Sequence, residues 1–179
     1  MIVAAASLMP AFAESSTTPR PAPELGIMMP GGGQKLLSSY RGKPVCLAFF
    51  YTTCPHCQDM AKMLSSQIVP EYGPKGVEVI AAAFDPDAKT QTADFARQFV
   101  KGFPMGYVER GQVNEFLQKS VMTVLYVPIM VFIDRKGIIQ SEYLGDQNFL
   151  SDPPKNVRAE LDKLLARPAG KPVTHISKK

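Results

Sequence analysis

The sequence predicts an α/β fold, a central mixed β-sheet flanked by helices on both faces. Three observations predict it. Val45 to Tyr51 (VCLAFFY) and Val77 to Phe84 (VEVIAAAF) read as buried core strands. Between them Met60, Met63, Leu64 and Ile68 recur at helical spacing, so strand, helix and strand make a parallel βαβ unit. Ile129 to Ile133 (IMVFI), the turn Asp134-Arg135-Lys136-Gly137 and Ile138 to Leu144 then add an antiparallel hairpin to the same sheet.

The other elements follow in order. Gly31-Gly32-Gly33 marks a turn or hairpin tip, Leu36 to Tyr40 is short and amphipathic, and Arg41 to Pro44 is a turn leading into the first core strand. The first helix is expected over Cys54 to Val69, and Pro70 must end or kink it because it has no N–H to give. Thr52 and Thr53 are candidate caps, Pro55 is tolerated in the first turn, and Asp59 suits the positive end. Asp85-Pro86-Asp87 signals the start of a second helix, with Phe95, Ala96 and Phe99 on its apolar face. Phe103-Pro104-Met105 begins an extended link, and Val113, Phe116 and Leu117 share one side of a short helix. After Pro153-Pro154, Lys155 to Ala166 is a helix that Pro168 and Gly170 stop.

At 179 residues the chain suits one domain with tails: an apolar leader-like segment over 1–13, a proline-rich linker over 14–24, a core domain over 25–168 and a tail over 169–179. The net charge of +4 is modest and its basic residues are scattered, which argues against a nucleic-acid partner. Ala11-Phe12-Ala13 ahead of Glu14 matches a small-x-small cleavage site, although a basic n-region is missing. Export to the periplasm or another extracytoplasmic space is the expectation; a short tail is the other reading. A monomer is expected.

Cys54-Pro55-His56-Cys57 carries the chemistry. CxxC spacing also makes half of many zinc sites, so its setting matters. Here it stands where a core strand ends and a helix begins. Unpaired backbone N–H groups and the positive end of the helix dipole favour a thiolate there, and the thiolate is the species that attacks disulfides. Cys54, at the tip, is the expected nucleophile; Cys57, one turn in, is the resolving thiol. Pro55 and His56 are the expected thiolate-tuning residues, with an exposed polar spacer as the other reading of His56. Cys46 shares a strand face with Ala48 and Phe50 and reads as a small core residue.

The chain resembles a thioredoxin-fold protein of the exported TlpA/ResA-like branch. Four pieces carry the resemblance: Arg41-Gly42-Lys43-Pro44-Val45 before the first core strand; Cys54-Pro55-His56-Cys57 after it; Asp85-Pro86-Asp87 after the second; and Val127-Pro128 ahead of Ile129 to Ile133 and the Asp134 to Gly137 turn. The resemblance implies a thioredoxin-like fold, a thiol:disulfide oxidoreductase with no bound cofactor, protein thiols or disulfides as substrates and a membrane redox partner. It also implies a cis Val127–Pro128 bond, with the Val127 backbone offered to an extended substrate segment. The Pro-His dipeptide resembles that of the oxidant DsbA. Departures from the family are Thr53 in place of a tryptophan, and Ala48 and Met60 where relatives carry acids. A copper-delivery protein of the same fold is the alternative, with His56 or His175 as a further ligand to the two sulfurs. A peroxiredoxin nucleophile would need a threonine and a proline where Tyr51 and Leu47 stand.

Overall fold

A computed structural model describes residues 18–145 and 148–168. The leader-like segment, the start of the linker, the tail and His175 lie outside the described residues. Eight strands form one mixed sheet: β1 (Arg20–Pro21), β2 (Gly26–Met28), β3 (Gln34–Leu36), β4 (Val45–Phe50), β5 (Glu78–Ala83), β6 (Met105–Tyr107), β7 (Ile129–Ile133) and β8 (Ile138–Tyr143). Their order across the sheet is β1-β8-β7-β4-β5-β6-β2-β3. β4, β5 and β6 run parallel, while β7 lies antiparallel to β4 and β8 antiparallel to β7.

Alternation along β4 decides which side chain meets which layer. Cys46, Ala48 and Phe50 face α1 (Pro55–Met63), α3 (Ala88–Phe99) and α5 (Pro153–Ala166). Val45, Leu47 and Phe49 face α4 (Arg110–Phe116) and the β2–β3 hairpin. Period-two alternation in a strand buried on both faces gives this result, and it places Cys46 on the face expected for it. Helices therefore cover both faces of the sheet. The turn after β7 is held by Asp134, whose Oδ1 accepts from the N–H groups of Lys136 and Ile138 at 2.8 and 3.0 Å. Gly137 supplies the positive φ of 76°.

Four details differ from the sequence reading. Met105–Tyr107 is a strand rather than a link, paired with β5 and β2. The last helix begins at Pro153, so both prolines form its first turn, where an N–H has no partner anyway. Helix α3 begins at Ala88 with Asp87 at its cap position but without a capping side-chain bond. Pro70 does not end the first helical run. A π-helical stretch over Leu64–Ile68 follows α1, and α2 (Val69–Tyr72) continues through the proline. The widened turn is where the chain absorbs a residue without an N–H.

The α1 run is anchored by Met60, Ala61, Leu64 and Ile68, all buried against the β4 face. Leu64 is fully buried, so Leu64→Ala is expected to cost about 2–5 kcal/mol by urea unfolding, the range for a cavity in a packed core. A loss under about 1 kcal/mol would show that this helix is not seated as described.

Candidate active site

The joint between β4 and α1 is built from backbone hydrogen bonds. The Cys54 N–H donates to the Tyr51 carbonyl at 3.2 Å, and the Cys54 carbonyl accepts from the N–H groups of Cys57 and Gln58, both at 3.1 Å. Cys54 is thus itself the cap residue, extended at φ −85° and ψ 118°, with no side-chain cap bond. This corrects the expectation that Thr52 or Thr53 caps the helix; Thr53 is exposed, and Asp59 lies beyond the first turn. The sulfur at the cap position stands beside a first turn in which Pro55 has no N–H and the Cys57 N–H is already given to the Cys54 carbonyl, so the positive end of α1 is what it meets.

The two sulfurs occupy unlike environments. Cys54 is half-buried, whereas Cys57 is fully buried and packs with Met60 and Ala61 in the core. All three cysteines are free thiols in this structure. Burial drives the Cys57 thiol well above its ordinary range; the adjacent Cys54 and the Asp85 carboxylate push the same way, against a backbone hydrogen bond from Tyr51. Cys46 is fully buried in the sheet, and desolvation pushes it from 9.0 up to about 12.

The side chain of Thr52 is taken by a residue that the sequence reading placed only at a helix start. Asp85, 8% exposed, accepts from the Thr52 N–H on Oδ1 and from the Thr52 hydroxyl on Oδ2, each at 2.7 Å. The relatives' acid positions, Ala48 and Met60, are both core residues. A buried acid is nevertheless present, delivered from the end of β5. The signal available in the sequence was Asp85 at the carboxyl end of the strand parallel to β4.

The Val127–Pro128 peptide is cis and leads into β7 beside β4. Pro128 is buried, and with His56, Met60, Met63 and Leu150 it lines an open cavity of about 330 Å³. Pro55 and His56 are exposed, and among the described residues the His56 ring makes no hydrogen bond. The loop ahead of Val127 exposes Val121 (72%), Met122 (86%), Val124 and Tyr126. That loop is pinned by Arg110, which donates to the Tyr51 hydroxyl at 2.9 Å and to the Thr123 carbonyl at 3.3 Å. Gly145 packs against it so closely that a Cβ there would lie 2.5 Å from the Val127 oxygen. The residues singled out in the sequence therefore gather together: His56 and Pro128 line one cavity, and Cys54 and Val127 pack on the core cluster that holds Cys57. Among the described residues, no group of three or more His, Cys, Asp or Glu side chains is placed to hold a metal ion.

The AhpC/TSA family matches residues 19–142, well over half of the chain and all of the site. The chain belongs to the AhpC/TSA family. Within that family it is similar to the thiol-disulfide oxidoreductase ResA of Bacillus thuringiensis, 28% identical over 116 residues, which cover 64% of this chain and 63% of that protein. It is also 30% identical over 115 residues to ResA of Geobacillus kaustophilus, covering 64% and 62%. The chain thus spans under two thirds of the length of these relatives. A Chlorobium tepidum structure described as a thiol:disulfide interchange protein DsbE matches with a TM-score of 0.66 and 25% identity, covering 82% of this chain and 99% of that one. These likenesses bear out the thioredoxin-like fold and the resemblance to the TlpA/ResA-like branch. The AhpC/TSA match does not restore a peroxiredoxin nucleophile, because Tyr51 and Leu47 remain at its supporting positions.

Two outcomes follow from the unequal thiols. Iodoacetamide at pH 8 should label the reduced native protein once, at Cys54, and label all three cysteines in denaturant, as read by peptide mass spectrometry; Cys46 or Cys57 reacting as fast as Cys54 would contradict the burial described. Stability should also depend on pH. Between 9.0 and about 12 the folded Cys46 keeps a proton that the unfolded chain has released, so stability falls as pH rises. The slope is about 1.4 kcal/mol per pH unit for one thiol. Cys46→Ala should remove this thiol's share in urea titrations of the reduced protein.

Proposed function

We propose that this chain is an exported thiol–disulfide oxidoreductase that acts on protein cysteines through Cys54 and Cys57, with no bound cofactor. The observation that carries the reading is a half-buried cysteine at the cap of α1, with a fully buried partner one turn further in. As a reductant, the Cys54 thiolate bonds to one substrate sulfur and the substrate S–S bond breaks, its electron pair leaving on the other sulfur. Cys57 then loses its proton and attacks the Cys54 sulfur, so the Cys54–Cys57 disulfide forms and the first substrate sulfur leaves as a thiolate. The substrate gains two electrons and the dithiol loses two. Oxidation of a substrate is the same sequence reversed.

Surface chemistry supports a polypeptide substrate. Val121, Met122, Val124 and Tyr126 in the loop ahead of Val127, and the cavity lined by Met60, Met63 and Pro128, offer apolar surface to the residues flanking a substrate cysteine. Val127 presents its backbone to that segment, and Pro128 lies beneath it. Pro55 and His56 tune the Cys54 thiolate. The names of the ResA relatives support the activity. Oxidative folding, disulfide reduction or preparation of cytochrome c thiols is the process served, with a membrane redox partner supplying or removing electrons.

The reading is tested by turnover of a disulfide-bonded protein against a reductant of known potential. Cys54→Ser should abolish exchange, and Cys57→Ser should accumulate a mixed disulfide at Cys54, seen on a non-reducing gel. Exchange that survives Cys54→Ser would refute it. His56→Ser should make the pair more reducing, by about 30 mV for each tenfold loss of thiolate stabilisation.

A further inference from the structure

Among the described residues, six large apolar side chains are exposed, and four of them fall within one loop: Val121, Met122, Val124 and Tyr126. Left to itself, such a segment turns its side chains inward and its backbone toward water. Here the arrangement is reversed. Of residues 118–126 only Leu125 is buried, and the backbone is tied to the body of the protein at successive points. The Asn114 amide donates to the Ser120 carbonyl at 2.8 Å, and the Thr123 N–H donates to the same carbonyl at 2.9 Å. Further along, the Gly145 N–H donates to the Tyr126 carbonyl at 2.8 Å.

The tie that crosses to the cysteines is Arg110, the first residue of α4. Its planar fork spans two neutral acceptors. Nη1 donates to the Tyr51 hydroxyl at 2.9 Å and Nη2 to the Thr123 carbonyl at 3.3 Å. The Tyr51 ring is itself packed edge-on against Phe84, with centroids 4.7 Å apart, and the Tyr51 carbonyl receives the Cys54 N–H. One side chain from a third element thus sets the loop that leads into Val127–Pro128 against the strand end that leads into Cys54. Arg110 is exposed, so the bridge lies outside the packed core.

We propose that Arg110 is a positioning residue for the substrate: it holds the 118–126 loop with its apolar side chains outward, as a ready surface for an extended polypeptide whose cysteine lies at Cys54. The proposal rests on the exchange reading of Cys54 and Cys57. The occupant is the substrate chain because the surface is continuous with the site. The loop runs without a break into the Val127 backbone and Pro128, and its tie ends on the residue that bonds Cys54. A surface ordered before binding costs less to occupy than one ordered by it. Loss of the tie therefore raises KM for a polypeptide, while a disulfide too small to reach the loop reacts as before.

Insulin, a disulfide-bonded polypeptide, and dithiodipyridine, a small uncharged disulfide, separate the two cases. With dithiothreitol supplying electrons, Arg110→Gln and Tyr51→Phe should each raise KM for insulin about threefold or more, with kcat and the dithiodipyridine rate held. Arg110→Lys keeps the charge without the fork and should behave like Arg110→Gln. Val121→Ser combined with Met122→Ser should raise the same KM. An unchanged KM in Arg110→Gln and Tyr51→Phe overturns the proposal, and Tyr51→Phe alone decides should Arg110→Gln fail to fold. Full recovery in Arg110→Lys overturns it too, by assigning the effect to charge. Equal losses with both disulfides would place the bridge's action on the cysteines and count against it. So would a concentration-dependent dimer in sedimentation that the Val121→Ser, Met122→Ser double variant abolishes, because a second copy would then own the surface. Reduced wild-type protein that releases no thiopyridone from dithiodipyridine would sink the exchange reading instead. Hydrogen exchange at the amides of residues 121–126 would then judge the tie by itself: faster exchange in Arg110→Gln supports it, and an unchanged rate overturns it.

Discussion

Strand β4 is hydrogen-bonded along its length to β5 on one side and to β7 on the other. That double pairing is the constraint from which the site hangs. A strand tied at both edges cannot slip, so the residue that follows it emerges at a fixed height and in a fixed direction. Cys54 follows directly after the turn at its end, and α1 begins on the next residue. The same pairings bring two further groups to that end of the sheet. β7 is preceded by Val127–Pro128, and β5 is followed by Asp85. Three segments distant in sequence converge because their strands are neighbours, a common origin of sites at the carboxyl ends of parallel strands.

The three cysteines show how far environment divides one residue type. Cys46 is walled into the sheet and behaves as a small apolar side chain. Cys57 is as deeply buried but belongs to a helix that begins at the surface, one turn from its partner. Cys54 alone reaches solvent. Burial alone grades their access to solvent, and in the proposed exchange that order separates a bystander, a resolving thiol and an attacking one.

Much of this was legible in the sequence. β4, β5 and β7 are apolar and rich in branched or aromatic residues, so their type and order could be read directly, and the setting of Cys54 and Cys57 between a core strand and a helix pointed to the proposed chemistry. The rest was hidden for physical reasons. β1, β2, β3 and β6 are two or three residues each, too short for any alternation to show. The helical run past Pro70 depends on a π-helical stretch that no local pattern encodes. Asp85 looked like a helix-start residue because it stands before Pro86 and Asp87. Its actual partner, Thr52, is 33 residues away and meets it only once two parallel strands have paired.

One chain segment closes both margins of the sheet. Residues 20–21 pair with β8 at one border, and residues 26–36 form the hairpin that pairs with β6 at the other. Arg20 is clamped there by a 2.7 Å ion pair to Glu142 that is almost wholly out of water. The β4–β5–β6 and β7–β8 pairings do not involve this segment, but without it their two outer strands would present unsatisfied peptide groups to any neighbouring chain. The amino-terminal stretch thus works as a selvedge, the woven border that stops a cloth from unravelling or snagging. Its loss would bare two strand edges together with the core side chains that Leu25 and Ile27 cover.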